Sequence, residues 1–173
     1  HCTPVYPYFL IREAQRLGLS QRISEAAREI NDLQPVRQIE RVDHIIGPLK
    51  STRVHILGLG FRPGVKVEIF SPAFPLRDKL EAMGALVTIE DPYYSDQEIN
   101  NLGFTAGTVD GAGVVVLNTA HPEFQSPDFS LWKATGVRAV LDGRNMWMRE
   151  GVESAGIEYF GIGRSSRLEL DQT

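Results

Sequence analysis

Few residues in this chain are of types that do chemistry, and they are widely spaced. The single cysteine, Cys2, lies in the opening run HCTPVYPYFL. An isolated cysteine is either a small apolar residue or a nucleophile, and reactivity needs a nearby cation or helix N-terminus. A helix expected from about Pro7, with His1 adjoining, offers such surroundings, so both roles stay open for Cys2. Two arginines are better placed. Arg62 in GLGFRPG and Arg144 in LDGRNMW each follow a run that reads as a buried strand. Either alone is an ordinary surface arginine, Arg144 pairing with a neighbour such as Asp142. On adjacent strand ends, two planar guanidinium forks match phosphate oxygens and point to a phosphorylated small molecule.

The remaining candidates carry less. Glycines 58, 60 and 64 spell GxGxxxG, whereas a dinucleotide fingerprint needs GxGxxG at a tight strand-to-helix turn. Pro63 intervenes and the helix is delayed to about Ser71, which leaves a tight turn or a loop for a different ligand. His121 in NTAHPEF follows another strand end, with no partner acid evident. His44 and His55 fall inside helix and strand patterns. No metal-ligand spacing, G-x-S-x-G or Walker loop occurs.

The elements that position these residues divide near residue 50. Before it, three helices are expected. The first has Pro7 at its first position and Leu10, Ile11, Ala14 and Leu17 at helical spacing. Ser20 caps the second, with its apolar stripe from Ile23 to Leu33, and Pro35 opens the third. Arg22, Glu25, Arg28, Glu29 and Asp32 form a charged face read as solvated or partner-facing. After residue 50, strand and helix alternate: RVHILGLG, ALVTIEDP, AGVVVLNTA, VRAVLDGR and IEYFGIG are five strands, and Ser71-Pro72 starts a helix ended by Gly84. Right-handed parallel crossovers make this a doubly wound, Rossmann-like α/β sheet preceded by a helical segment. Such sheets bind ligands beyond the carboxyl ends of their strands, here GLGFRPG, EDP, NTAHPEF and DGRN. Residues 165–173 read as a loose polar tail.

Composition narrows the class. In 173 residues, a net charge of −4 supplies no basic field for nucleic acid or anionic membrane. The longest apolar runs are too short to span a bilayer. One cysteine excludes an internal disulfide and fits a reducing compartment, so a cytoplasmic protein is expected.

Taken in order, HCTPVYPYFL, AAREINDLQP, VHILGLGFRP, SPAFPLRDKL, TAHPEF, LDGRNMW and YFGIGR resemble the later half of UDP-glucose/GDP-mannose dehydrogenases. The histidine before the cysteine and the PYFL after it resemble the branch acting on UDP-N-acetylhexosamines. The resemblance implies that residues 1–50 end a central helical dimerisation domain and carry the cysteine motif. It makes residues 51–164 the UDP-sugar-binding domain, and implies a homodimer through the helical segment. It implies that Cys2 is the nucleophile that captures the sugar aldehyde as a thiohemiacetal on the way to a thioester and the acid. Phe61 and Arg62 match a Phe-Lys pair at the sugar nucleotide, with arginine for lysine, and Arg144 matches an arginine holding the nucleotide. NAD would be bound mainly by a preceding domain, and this chain alone would be inactive.

Four residues depart from the family pattern. Tyr6 stands where an aspartate usually follows the cysteine by four, and a phenol is no ionised acceptor at neutral pH. Lys66, Ile69 and Phe70 replace acidic residues and an Arg-Glu pair, Ile69 removing a cofactor-facing arginine. The alternative reading is therefore a non-catalytic nucleotide-sugar-binding or regulatory module. A protein-interaction domain built on the charged helical face is a third.

Overall fold

The computed structural model describes residues 2–170; His1 and residues 171–173 of the expected tail lie outside them. Two helices come first, α1 (Cys2–Arg16) and α2 (Arg22–Ile46). Then follow β1 (Arg53–Leu57), α3 (Ala73–Ala82), β2 (Leu86–Glu90), α4 (Asp96–Asn101), β3 (Val114–Leu117), α5 (Phe129–Thr135), β4 (Ala139–Asp142), α6 (Arg149–Ser154), β5 (Glu158–Gly161) and α7 (Arg167–Leu170). The five strands form one parallel sheet in the order β2-β1-β3-β4-β5. The doubly wound α/β expectation holds, with all five strands where they were read.

Alternation along the strands sorts the core into two layers. Val54, Ile56, Val114, Val116, Ala139 and Leu141 face α2, α3 and α4, packing on Ile39, Val42, Leu76, Leu80 and Ile99. Leu57, Val115, Leu117, Val140 and Tyr159 face the other way, onto Val152 of α6 and the ring cluster of Phe129, Trp132 and Trp147. His55 is buried in that second layer, its Nδ1 2.9 Å from Thr88 Oγ1 and its Nε2 3.3 Å from Glu90.

The helical segment differs from expectation. Helix α1 begins at Cys2 with Pro7 inside it, and α2 runs unbroken through Pro35. In α1, Pro4 falls in the first turn, where no amide has an intrahelical acceptor, and Pro7, in the second, forgoes one intrahelical bond. In α2, Pro35 lies mid-helix, where it removes a hydrogen bond and crowds a full preceding turn. Packing outweighs it: beyond Pro35, Ile39 and Val42 are fully buried against the sheet. The residue before α2 is Gln21 and makes no side-chain cap, so Ser20 does not play that part.

The end of the described chain is docked. Arg41 of α2 grips Glu169 with Nε and Nη2, both at 2.6 Å, and reaches the Gly161 carbonyl at 3.2 Å. Ser166 is fully buried. Arg41, with help from the Ser166 amide, holds the Glu169 carboxyl down to about 2 against an ordinary 4.5. A depressed folded-state pKa gives stability that is present above pH 4.5 and lost as pH falls toward 2. Amide exchange across residues 166–169 should therefore accelerate in that acid window before the sheet amides respond. Unchanged protection down to pH 2 would remove Arg41–Glu169 as the clasp.

Candidate functional site

Between the sequence-adjacent strands β1 and β2 the chain moves to one side, then crosses back to β3, so the topological switch lies between β1 and β3. A cleft of about 970 Å³ opens there, beyond the strands' carboxyl ends. That is the upper size range of small-molecule sites and the place where open α/β sheets bind ligands. One wall is built from loops after β1, β3 and β4: Phe61, Arg62, Phe70, Asn118, Gly143 and Arg144. The other is helical, with Thr3, Pro4 and Tyr8 of α1 and Arg28, Asn31 and Pro35 of α2. The structure thus brings Phe61, Arg62 and Arg144 to one wall, but not on adjacent strand ends as expected: β3 lies between β1 and β4, and its end supplies Asn118 between the two arginine loops. Cys2 is exposed and is not itself among the lining residues, but it opens α1 immediately before Thr3 and Pro4, which are.

Each arginine is delivered by a buried carboxylate. Asp142, at the end of β4, accepts from the Arg144 amide at 3.0 Å, the Trp147 amide at 2.8 Å and the Tyr159 hydroxyl at 3.2 Å. Burial first, and Asp142 second, push the Tyr159 phenol up to about 12, so it stays a donor. Gly143 is needed because a Cβ would sit 2.6 Å from the Leu117 carbonyl oxygen. The Arg144 Nε donates to the Asn118 carbonyl, and its Nη groups make no other hydrogen bond within the described residues. Arg144 is exposed as a residue, yet protein crowds the guanidinium, and that desolvation lowers its pKa. An arginine so shifted still carries its charge at neutral pH.

Asp91, after β2, does the same for the other arginine. Its Oδ2 accepts the amides of Leu59 at 2.7 Å and Gly60 at 2.9 Å, its Oδ1 the amide of Tyr93 at 2.8 Å. Two residues on, Phe61 and Arg62 face the cleft, and the Phe61 amide closes the loop onto the Val67 carbonyl at 2.7 Å. Asn118 and Thr119 complete the clamp, donating to the carbonyls of Gly58 and Gly60 respectively. Gly58 has φ +92, and a Cβ there would lie 2.4 Å from Thr119 Cβ. Arg62 is exposed and makes no hydrogen bond or ion pair within the described residues.

This geometry answers the question of the glycine loop. A dinucleotide loop must offer its amides to a pyrophosphate. Here the Leu59 and Gly60 amides are committed to Asp91, and the helix starts only at Ala73. The loop does not fit NAD.

Sequence reasoning left out several of these parts. Asp91 is the acid His121 lacked: both are buried, with His121 Nε2 3.2 Å from Asp91 Oδ2. Arg28 does not belong to a solvated face; it is 8% exposed and lines the cleft. Phe70 takes φ +64, the left-handed region that a bulky side chain rarely adopts. Lys66 is turned to the outside, paired with Glu98 and lying 5.1 Å over the Tyr94 ring. Tyr6 and Ile69 are exposed and outside the cleft lining.

A second hollow of about 370 Å³ lies by the end of β2 and is lined by Glu90, Asp91, Asp96 and Glu123. Its carboxylates repel an anionic ligand, whereas the larger cleft carries the two arginines. Among the described residues no His, Cys, Asp and Glu group is arranged to hold a metal, and no helix is long and apolar enough to cross a membrane.

The chain is similar in sequence and in fold to proteins of known kind. A sequence profile for the UDP-glucose/GDP-mannose dehydrogenase family, UDP binding domain, matches residues 55–149. A UDP-glucose 6-dehydrogenase of Bacillus subtilis is 26% identical over 171 residues, covering 94% of this chain and 37% of that protein. A UDP-N-acetyl-D-mannosamine dehydrogenase of Pyrococcus horikoshii is 29% identical over 173 residues, with 95% and 38% covered. Among solved structures, a UDP-glucose dehydrogenase from Pyrobaculum islandicum superimposes with a TM-score of 0.79 at 26% identity, covering 95% of this chain and 37% of that one. The chain thus spans somewhat over a third of the length of these relatives.

Proposed function

The chain belongs to the UDP-glucose/GDP-mannose dehydrogenase family, and from that premise we propose that it is the sugar-nucleotide-binding part of an NAD-dependent UDP-sugar 6-dehydrogenase. The substrate in this reading is a UDP-N-acetylhexosamine, UDP-N-acetylmannosamine or UDP-N-acetylglucosamine, oxidised at its C6 alcohol to the uronic acid. The observation that carries it is the convergence of Phe61, Arg62 and Arg144 on one cleft whose opposite wall begins next to Cys2.

Arg144 and Arg62 bring guanidinium forks with uncommitted N–H groups to the diphosphate, and Phe61 supplies an apolar face beside them. Residues 51–164 form the nucleotide-sugar domain and residues 1–50 the end of a helical domain. At the electropositive end of α1, the Cys2 sulfur adds to the C6 aldehyde carbon, giving a thiohemiacetal; after the second oxidation, water hydrolyses the thioester to the acid and frees the thiol. Covalent capture keeps the aldehyde from escaping between the two oxidations. Two NAD molecules in turn would each take one hydride in the parent enzyme, held by a further domain, since the loop after β1 does not fit the cofactor. Tyr6, Phe9, Leu10, Leu17 and Ile23 are exposed along α1 and the start of α2, and a homodimer partner would cover them.

Calorimetric titration tests the reading. UDP should bind this chain with micromolar or tighter affinity and GDP more weakly, while NAD added with a UDP-sugar should yield no NADH from this chain alone. Binding of neither nucleotide would overturn the assignment of the cleft, and NAD reduction would overturn the division of labour.

A further inference from the structure

The helical wall of the cleft holds a cation that the diphosphate does not need. Arg28 is buried, and its guanidinium is fixed on several sides. Nη1 donates to Asn31 Oδ1 at 3.2 Å, Nη2 to Asp32, and the plane lies 5.8 Å from the centroid of the Tyr8 ring. The Tyr8 hydroxyl donates in turn to the other Asp32 oxygen at 2.8 Å. Its Nε is buried and has no hydrogen-bond partner among the described residues. A buried donor left unpaired costs about as much as a lost hydrogen bond, so native proteins rarely keep one without an occupant in view.

The chemistry of that occupant follows from what surrounds the group. Asp32 already answers the charge of Arg28, so the open Nε–H calls for a neutral acceptor rather than a further anion. Phosphate is provided for on the facing wall by Arg62 and Arg144. A sugar joined to a diphosphate there, with its C6 directed to Cys2 at the start of α1, would lie between the two walls, and Arg28 lines the helical one. We propose that Arg28 determines substrate specificity by donating its Nε–H to the acyl oxygen of the acetamido group of a UDP-N-acetylhexosamine. The inference rests on the nucleotide-sugar reading above and adds to it the residue that separates acetylated from plain hexoses. A donor left unpaired by the unacetylated sugar discriminates against it, as buried polar groups do in selective sites.

The test titrates this chain and its Arg28→Lys variant with UDP, UDP-glucose, UDP-N-acetylglucosamine and UDP-N-acetylmannosamine. Lysine keeps the charge but has no fixed Nε–H. The native chain should bind one of the acetylated sugars about tenfold tighter than UDP-glucose, a step of the size expected for one buried donor. The variant should erase that preference and bind UDP as before. Equal weakening toward all four ligands, or no preference in the native chain, would overturn the role of Arg28 while leaving the nucleotide reading intact. Failure of UDP itself to bind would sink both. Should the variant not fold, the Arg28 Nε–H resonance of the native chain decides. It should shift with the acetylated sugar and stay in place with UDP; a resonance unmoved by the sugar refutes the contact.

Discussion

Arg144→Ala should bind UDP roughly 30-fold more weakly than the native chain, with little change in folding. The size follows from removing a charge-assisted hydrogen-bonding pair, about 2 kcal/mol when its donor is ionised. Loop conformation should survive because Asp142 fixes the turn through main-chain amides and the Tyr159 hydroxyl, none of which the substitution touches. Only the Nε bond to the Asn118 carbonyl is lost. Titration beside a thermal melt separates the two effects. An affinity unchanged within twofold would show that the fork does not hold the nucleotide. A collapse of the melt instead would make Arg144 structural.

Asp91→Ala should be the most damaging single change to the site, and it touches no ligand. It strips the acceptor from the buried amides of Leu59 and Gly60, from the Tyr93 amide and from His121 Nε2. At about 1–3 kcal/mol for each buried donor left unpaired, with water reaching Tyr93, the loss is about 3–5 kcal/mol, a large part of ordinary domain stability. A melting midpoint lower by more than ~10 °C is expected, with UDP binding gone because Phe61 and Arg62 lose their anchor. Asp91→Asn keeps one acceptor oxygen and should recover part of the stability. Asp91→Ala with native melting and native UDP affinity would refute the role of this carboxylate.

The sheet was legible because its signals are local. Short runs of Val, Ile and Leu bounded by Gly, Pro and Asp specify buried parallel strands, but only the sheet order shows that the ends carrying Arg62 and Arg144 have β3 between them. The site's supports were not legible, because each depends on distant residues. Asp91 is a plain Asp-Pro turn until β2 pairs with β1 and brings it against Leu59, more than thirty positions earlier. Arg28 sits on a face whose charges read as solvated, and it is the packing of α1 on α2, with Tyr8 over its guanidinium, that the sequence does not announce. Pro35 carried a rule for ending helices that burial of Ile39 and Val42 overrides. The left-handed Phe70 has no sequence signal, since glycine is the residue that normally advertises that conformation. Lys66 and Ile69, read from the sequence as departures from a family pattern, both lie outside the cleft lining.

The claim on which the rest depends is that the uridine nucleotide lies in the cleft between the strand-end loops and α2. Mapping amide shifts of the isotope-labelled chain during a UDP titration tests it most directly. The account predicts saturable shifts at Gly60–Arg62, at Asn118 and at Gly143–Asn145, with the amides lining the acidic hollow by Glu90 and Glu123 unmoved. Shifts centred on that acidic hollow, or none in the three loops at saturating UDP, would contradict it.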